Sequence, residues 1–172
     1  MIISGLISDS KQVIFDFNSN SDISAWSVVD DVVMGGESQG NFKLNEIGNG
    51  LYFGKVSLEN NGGFSSLRFR FSEKDISNYS KIILKIKGDG KDYQFRVKDD
   101  YLNRYSYISS FSTNKDWQLI EISLSKMYPA FRGRKLNMSK FSSKVIEEIA
   151  FLIGNKRNES FKIEIDKIYL EE

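Results

Sequence analysis

The sequence contains no cysteine and no histidine. Without them the chain has no thiol nucleophile, no disulfide, no imidazole base and no Cys/His zinc site. Proline occurs once, at Pro129, and alanine only at Ala25, Ala130 and Ala150. Because alanine is the best helix former, its scarcity disfavours a mainly helical fold. The composition therefore argues against much of the common catalytic chemistry and against an all-α architecture.

The sequence also lacks an excess of one charge and any long apolar run. Lysine and arginine total 24 against 23 aspartates and glutamates, a formal net charge of +1, so nucleic-acid binding is not expected. No run approaches the ~18 apolar residues of a membrane span. The apolar start at Ile2, Ile3, Leu6 and Ile7 lacks the charged flank of a signal peptide and the arginines of a transit peptide. We therefore expect a soluble, cytoplasmic protein without membrane insertion.

What the sequence does contain is a period-two alternation of apolar and polar residues, which is typical of half-buried strands. The pattern predicts about ten strands at the spacing of a sandwich or barrel. They cover residues 13–17, 42–44, 51–58, 64–71, 82–86, 93–97, 105–111, 117–124, 149–153 and 161–170. In the last of them, the apolar phase shifts between Ile165 and Ile168, which predicts a bulge.

The segments between the predicted strands contain turn signals and one helical pattern. Asn49-Gly50 predicts a tight hairpin turn with a left-handed backbone, and residues 60–63 predict a second turn. Residues 142–148 predict a short helix. Residues 125–140 form the longest irregular stretch, and loops of that length are often functional. We predict a single all-β domain over residues 1–172, an antiparallel β-sandwich of the jelly-roll type.

Several motifs occur in an order that carries a family resemblance. The segment from Trp26 to Ser38 combines a strand, the acidic pair Asp30-Asp31 and a double glycine. Further motifs follow at Phe53-Gly54, Asn60-Asn61-Gly62-Gly63-Phe64, Gly88-Asp89-Gly90, Phe131-Arg132-Gly133 and the closing strand from Phe161 to Ile168. Together they resemble the complex I intermediate-associated protein 30 family over nearly the whole chain.

The resemblance implies a jelly roll of the galactose-binding-domain-like type. Mitochondrial members of the family act as chaperones in the assembly of NADH:ubiquinone oxidoreductase, and many bacterial members are standalone proteins. Because the sequence shows no transit peptide or long N-terminal extension, a bacterial-type standalone homologue is expected. The implied function is a non-enzymatic, chaperone- or assembly-factor-like protein-binding module. Its partner would be a respiratory-complex subunit or assembly intermediate.

Glycines and carboxylates in the segment 30–38 are the first candidates for chemistry. Gly35-Gly36 could cradle a phosphate, but neither a Walker-type lysine nor a helix follows, so a positive φ or a close strand approach is favoured. Asp30 and Asp31 should face opposite sides of a strand, and one of them is expected to bond the backbone of residues 34–36. Glu37 could pair with either one in a two-carboxylate hydrolase, which stays a third alternative. We expect no catalytic residue, cofactor or metal; a structural calcium site lacks support because no regular acidic loop occurs.

Basic and aromatic residues are the candidates for binding. Arg68, Arg70, Arg96 and Lys98 alternate along two strands, where a solvated outer face is the favoured interpretation. The loop at residues 128–134 is as well explained by binding as by solvation. Trp117 is expected in the core, and Trp26 is left open between the core and sugar stacking. The candidate binding residues are Trp26, Asp30, Asp31, Glu37, Arg68, Arg96, Tyr128, Arg132 and Arg134. A jelly-roll carbohydrate-binding module with a glycan ligand is the alternative function.

Overall fold

The computed structural model describes residues 10–172, apart from the side chain of Val33. The apolar start at Ile2, Ile3, Leu6 and Ile7, with the leader prediction that rests on it, lies outside the described residues. Within them the chain forms thirteen strands and three short 3-10 helices. The strands are β1 (Lys11–Asp16), β2 (Trp26–Asp30), β3 (Gln39–Leu44), β4 (Gly50–Val56), β5 (Ser65–Asp75), β6 (Lys81–Lys87), β7 (Asp92–Lys98), β8 (Ser106–Ser112), β9 (Trp117–Ser123), β10 (Tyr128–Phe131), β11 (Arg134–Lys135), β12 (Val145–Ile153) and β13 (Glu159–Glu171). The 3-10 helices span Asp31–Met34, Glu59–Asn61 and Leu124–Lys126.

The strands form two antiparallel sheets, as the sequence pattern predicts. A six-stranded sheet has the order β3-β4-β13-β6-β9, with β1 added beside the second half of β13. A seven-stranded sheet has the order β11-β10-β8-β7-β12-β5-β2. The register of β13 against β6 shifts between Ile165 and Lys167, which confirms the predicted bulge.

The core lies between the two sheets because each strand places alternate side chains on its inner face. Tyr52, Phe95 and Phe151 are among its largest fully buried side chains, and the Phe95 and Phe151 rings meet edge to face at 5.3 Å. Trp26 is buried and stacks on Phe69 at 4.6 Å, so the question left open for it is answered in favour of the core. The prediction that Trp117 is a core residue is wrong. It is 42% exposed because it occupies the outer face of the edge strand β9.

The helix predicted over residues 142–148 is wrong, because β12 runs through most of that segment. Val145, Ile146 and Ile149 are spaced as on a helix face, but β-branched residues also favour strands. β12 lies between β5 and β7 and pairs with both, and a register shift between Ile146 and Glu148 accounts for the broken alternation. Long-range pairing therefore overrides the local pattern.

One turn prediction and one loop prediction need correction, and a second turn prediction is confirmed. The turn between β3 and β4 covers residues 45–49, and its left-handed residue is Gly48, with φ +87, not Asn49-Gly50. The stretch at residues 125–140 is not wholly irregular, since β10 and β11 form a hairpin within it. The turn predicted over residues 60–63 is present, with positive φ at Asn60, Asn61 and Gly63.

Candidate functional site

A groove of about 410 Å³ lies over the outer face of the seven-stranded sheet. Side chains of β5, β12 and β7 that point away from the core make its floor. Among the described residues its lining carries one carboxylate, Glu148, against five basic side chains. The chain as a whole has a formal charge of only +1, so the groove concentrates positive charge. We call it the basic groove; its basic residues are Arg68, Arg96, Lys98, Arg104 and Arg132.

The centre of the floor is a cross-strand row in which Ala150 lies between Arg68 and Arg96. Ala150 is opposite Arg68 on β5 and opposite Arg96 on β7. Two strand spacings separate the arginines, so their Cα atoms are about 10 Å apart. Because the alanine side chain is a single methyl group, the row forms a recess with a cation on each side.

The charge of this recess is not compensated. Neither Arg68 nor Arg96 takes part in an ion pair among residues 10–172. Arg96 donates from Nε and Nη2 to Oε1 of Gln94, at 3.0 and 2.6 Å. Burial and then the neighbouring Arg68 charge lower the pKa of Arg96 to about 10. An anion between the two guanidinium groups would relieve the repulsion between them.

The adjacent row of the floor has one carboxylate between its two cations, Arg70 and Lys98. Glu148 is buried and pairs with Arg70, whose Nη2 lies 3.1 Å from Oε1 of Glu148. Lys98, opposite Glu148 on β7, donates from Nζ to the carbonyl oxygen of Asn103 at 2.6 Å. Burial, the largest cause, lowers the pKa of Lys98. Arg68 and Arg96 are thus the two cations of the floor that face each other across a strand with no carboxylate between them.

Segments from opposite edges of the sheet form the walls of the basic groove. The 3-10 helix after β2 contributes Met34, and the tip of the β10–β11 hairpin contributes Phe131, Arg132 and Gly133. Arg132 and Gly133 have φ of +48° and +76°, and they are the two loop residues between the paired Phe131 and Arg134. This is the pattern of a type I′ turn, in which asparagine and glycine are preferred. An arginine in this conformation costs about 1–2 kcal/mol.

Asp31 holds the wall opposite the hairpin in place. Its fully buried carboxylate accepts hydrogen bonds from N and Oγ of Ser38, at 2.9 and 2.5 Å, from N of Gly63 at 2.7 Å and from N of Phe64 at 3.3 Å. Burial raises the pKa of the Asp31 carboxyl, but these hydrogen bonds outweigh burial, so its pKa lies below the ordinary value. A Cβ on Gly36 would lie 2.4 Å from this carboxylate, which explains the glycine by close approach.

Asp30 engages a different set of groups. Its Oδ1 accepts from Oγ of Ser65 at 2.5 Å, and its Oδ2 accepts from N of Gly40 at 2.9 Å. The prediction that the two neighbouring aspartates do not share a site is confirmed. The prediction that one of the two aspartates bonds the backbone of residues 34–36 holds for the main chain of Asp31, whose carbonyl oxygen accepts from N of Gly36 at 2.9 Å. The carboxylates take their donors from Ser38, Gly40, Ser65 and the turn before β5.

The structure brings three of the predicted binding residues together: Arg68, Arg96 and Arg132 all line the basic groove. A dispersed, solvated face does not describe Arg68 and Arg96, which are partly buried on the groove floor. Tyr128 is on the same face of β10 as Ala130, a lining residue. Met34, from the segment 30–38, lines the same groove as Phe131, Arg132 and Gly133 from the loop 128–134.

Other predicted residues lie elsewhere. Glu37 and Arg134 are exposed outside the groove lining, and Asp30 is occupied by Ser65 and Gly40. Trp26 and Asp31 are buried, and neither is among the residues that line the groove.

Sequence reasoning missed the contributions of Gln94, Arg104 and Ala150. The alternation along β7 places Gln94 on the same face as Arg96, and this signal was present in the sequence. The position of Ala150 between two arginines has no local signal, because it depends on the register of β12 with two distant strands.

The chemistry that this arrangement offers is noncovalent binding of anions. Guanidinium groups donate hydrogen bonds and accept none, so they cannot act as bases at neutral pH. Among residues 10–172, no group of three or more acidic, cysteine or histidine side chains is placed to hold a metal ion. No helix in this part of the chain is both long enough and apolar enough to cross a membrane.

Comparison with known sequences gives one family. The family model described as complex I intermediate-associated protein 30 matches residues 15–165. The Mus musculus protein named "Complex I intermediate-associated protein 30, mitochondrial" is 26% identical over 191 residues. The match covers 95% of this chain and 57% of the mouse protein, so the chain spans less than two thirds of that relative.

Comparison with solved structures gives carbohydrate-binding modules. A family 11 module from Clostridium thermocellum, in complex with a β-1,3-1,4-mixed-linked tetrasaccharide, has a TM-score of 0.71 at 19% identity, covering 94% of this chain and 95% of that chain. The family 11 module of a cellulosomal cellulase from the same organism has a TM-score of 0.70 at 18% identity, covering 94% of each chain. At such low identity the likeness shows the fold alone, and it confirms the predicted jelly roll.

Proposed function

Because the chain belongs to the complex I intermediate-associated protein 30 family, we propose that it is a non-enzymatic protein-binding module with a chaperone- or assembly-factor-like role. In this proposal, its partner is a subunit or assembly intermediate of a respiratory complex, and the basic groove binds that partner. The observation that carries the choice of surface is the uncompensated pair Arg68 and Arg96 on either side of Ala150. Partly buried charges without a partner are costly, so a bound anion accounts for them.

The state of the carboxylates also supports binding over catalysis. Glu148 is held by Arg70, Asp31 accepts four hydrogen bonds, and Asp30 accepts two. General acid–base chemistry needs a carboxyl group that can reach a substrate and exchange a proton. The groups that do face the open groove are mainly arginines, which suit recognition.

The test is affinity capture with a matched pair of double variants. The groove variant is Arg68→Gln/Arg96→Gln, and the control is Lys55→Gln/Lys87→Gln, which removes the same charge from exposed positions on the six-stranded sheet. We expect a stoichiometric partner, identified by mass spectrometry, to bind the unmodified chain and the control but not the groove variant. The purified partner should then rebind with the same dependence.

Two results would contradict the proposal in different ways. Equal recovery of the partner by the groove variant would refute the basic groove as the surface. Failure to recover a partner with any form of the chain, under conditions in which the chain is folded, would refute the protein-binding role.

A carbohydrate-binding module is the second candidate, and one observation favours it. The basic groove continues, through the shared residues Gln94 and Leu152, into a second depression of about 310 Å³. Hydroxyl and amide side chains line it, among them Ser110, Ser112 and Asn155, and such groups hydrogen-bond sugars. A glycan array that includes mixed-linked β-glucans tests this candidate. It predicts binding of a neutral glycan, and a blank array with folded protein would eliminate it.

A further inference from the structure

We infer that the ligand of the basic groove is an extended acidic segment of a protein, with one aspartate or glutamate carboxylate seated between Arg68 and Arg96 above Ala150. This inference rests on the proposed protein-binding function and names the chemistry that the partner must present.

The recess has the geometry that a carboxylate needs. Arginine offers a planar fork of N–H donors that matches the two oxygens of a carboxylate, and such charge-assisted hydrogen bonds are about twice as strong as neutral ones. Arg68 and Arg96 approach the space above Ala150 from two sides, so each carboxylate oxygen can receive a donor. Gln94 holds the Arg96 guanidinium through its side-chain oxygen, which accepts from Nε and Nη2 and fixes the donor before the ligand arrives.

The rest of the lining fits an extended chain with alternating side chains. Residues i and i+2 of an extended peptide point the same way, about 7 Å apart, and the residues between them point the other way. Arg104 and Arg132 line the same groove and can meet further carboxylates. Phe64 and Phe131 line it as well and offer contact for apolar neighbours. The expected ligand is therefore acidic with interspersed apolar residues.

Charge and composition separate an acidic peptide from a nucleic acid and from a neutral sugar as the ligand of the groove. A nucleic acid needs a long basic track and stacking platforms, but the formal charge of the whole chain is +1. Among the described residues, the groove lining holds two aromatic side chains, Phe64 and Phe131, and not a row of stacking platforms. A neutral sugar would leave the two arginines without an ionic partner. An acidic peptide satisfies both the charge and the apolar walls.

The test measures binding of synthetic peptides to the full chain by isothermal titration calorimetry. The probe is an eight-residue peptide that alternates glutamate with leucine and serine, and the control peptide has glutamine in place of each glutamate. We expect the glutamate peptide to bind at least tenfold more tightly than the glutamine peptide, since two charge-assisted contacts are lost. Arg68→Gln/Arg96→Gln should abolish this preference, and Lys55→Gln/Lys87→Gln should keep it.

A second variant guards against misfolding of the double glutamine protein. Ala150→Leu fills the recess without changing any charge, and it should also weaken binding of the glutamate peptide at least tenfold. Equal affinity for the two peptides would overturn the inference, as would tighter binding of an eight-nucleotide single-stranded DNA. A captured partner that depends on Arg68 and Arg96 but whose cross-linked segment is not acidic would overturn the ligand class and leave the protein-binding function standing.

Discussion

Replacing Asp31 tests whether one buried carboxylate holds a wall of the groove. Its two oxygens accept four hydrogen bonds, three of them from the backbone N–H groups of Ser38, Gly63 and Phe64. Alanine would leave all three buried donors unpaired, and at about 1–3 kcal/mol each, reduced by water entry, the expected loss is about 3–5 kcal/mol. A domain of this size has about 5–15 kcal/mol of total stability, so the loss is large.

Asp31→Asn is the sharper perturbation because it conserves shape. The amide can direct its oxygen toward Gly63 and Phe64 or toward the N–H of Ser38, but not toward both sets, so at least one backbone donor faces an NH₂ group. We expect a loss of about 2–4 kcal/mol in the free energy of unfolding. The assay is urea denaturation followed by tryptophan fluorescence, since Trp26 is buried in the core. Asp116→Asn, an exposed position, is the control and should change stability by less than about 0.5 kcal/mol.

The pH dependence of this difference follows from the pKa of Asp31. Its pKa in the folded protein lies below the ordinary value of 3.8, so the folded state binds the proton less tightly than the unfolded state. The stabilisation is therefore complete above about pH 4 and is lost as pH falls through the folded-state pKa. The difference in unfolding free energy between the unmodified chain and Asp31→Asn should narrow as the pH falls below about 4. A gap below 0.5 kcal/mol at pH 7, or one that does not narrow with acid, would refute the reasoning.

Four further substitutions have defined expectations. Gly36→Ala places a Cβ 2.4 Å from the Asp31 carboxylate and should lower the free energy of unfolding by about 1–3 kcal/mol, measured in urea. Arg132→Asn puts a preferred residue at a left-handed turn position; it should raise stability by about 0.5–1 kcal/mol in calorimetry and weaken binding of the glutamate peptide. Trp117→Ser should change stability by less than about 0.5 kcal/mol, whereas Trp26→Ala should cost about 3–5 kcal/mol.

Each expectation has an outcome that contradicts it. A Gly36→Ala protein as stable as the unmodified chain would mean that the carboxylate can move aside. An Arg132→Asn protein that is less stable would show that the arginine contributes more packing than strain. Acrylamide quenching provides an independent check of the tryptophans, since the emission that remains after Trp117→Ser should be poorly quenched.

The architecture was largely predictable, because alternation is a local property of each strand. The pattern cannot show which face is covered, and Trp117 illustrates this limit. It alternates like a core residue, but β9 is an edge strand whose outer face meets solvent. Residues 142–148 illustrate a second limit, since their apolar spacing fits a helix, whereas pairing on both sides makes a strand.

Individual residues of the candidate site could be predicted from the sequence, but their arrangement in space could not. Arg68 and Arg96 alternate on polar strand faces that are visible in the sequence, and the family resemblance of Phe131-Arg132-Gly133 indicates Arg132. Their meeting depends on Ala150, which follows Arg68 by more than eighty positions and is joined to it only by the register of β12. The donors to the Asp31 carboxylate could not be predicted for a related reason, since two of the four come from the distant turn before β5.

The use of arginine in the recess has a consequence for how a ligand leaves. The chain has no histidine, and the pKa of Arg96, about 10, remains well above the cytosolic and endosomal range. Arg96 therefore keeps its positive charge throughout the physiological pH range. Dissolved salt weakens the attraction between the arginines and an acidic ligand, because the groove is open and the screening length at physiological ionic strength is about 8 Å. At pH values where the carboxylates of an acidic ligand stay ionised, its release thus depends on ionic strength and on competing anions.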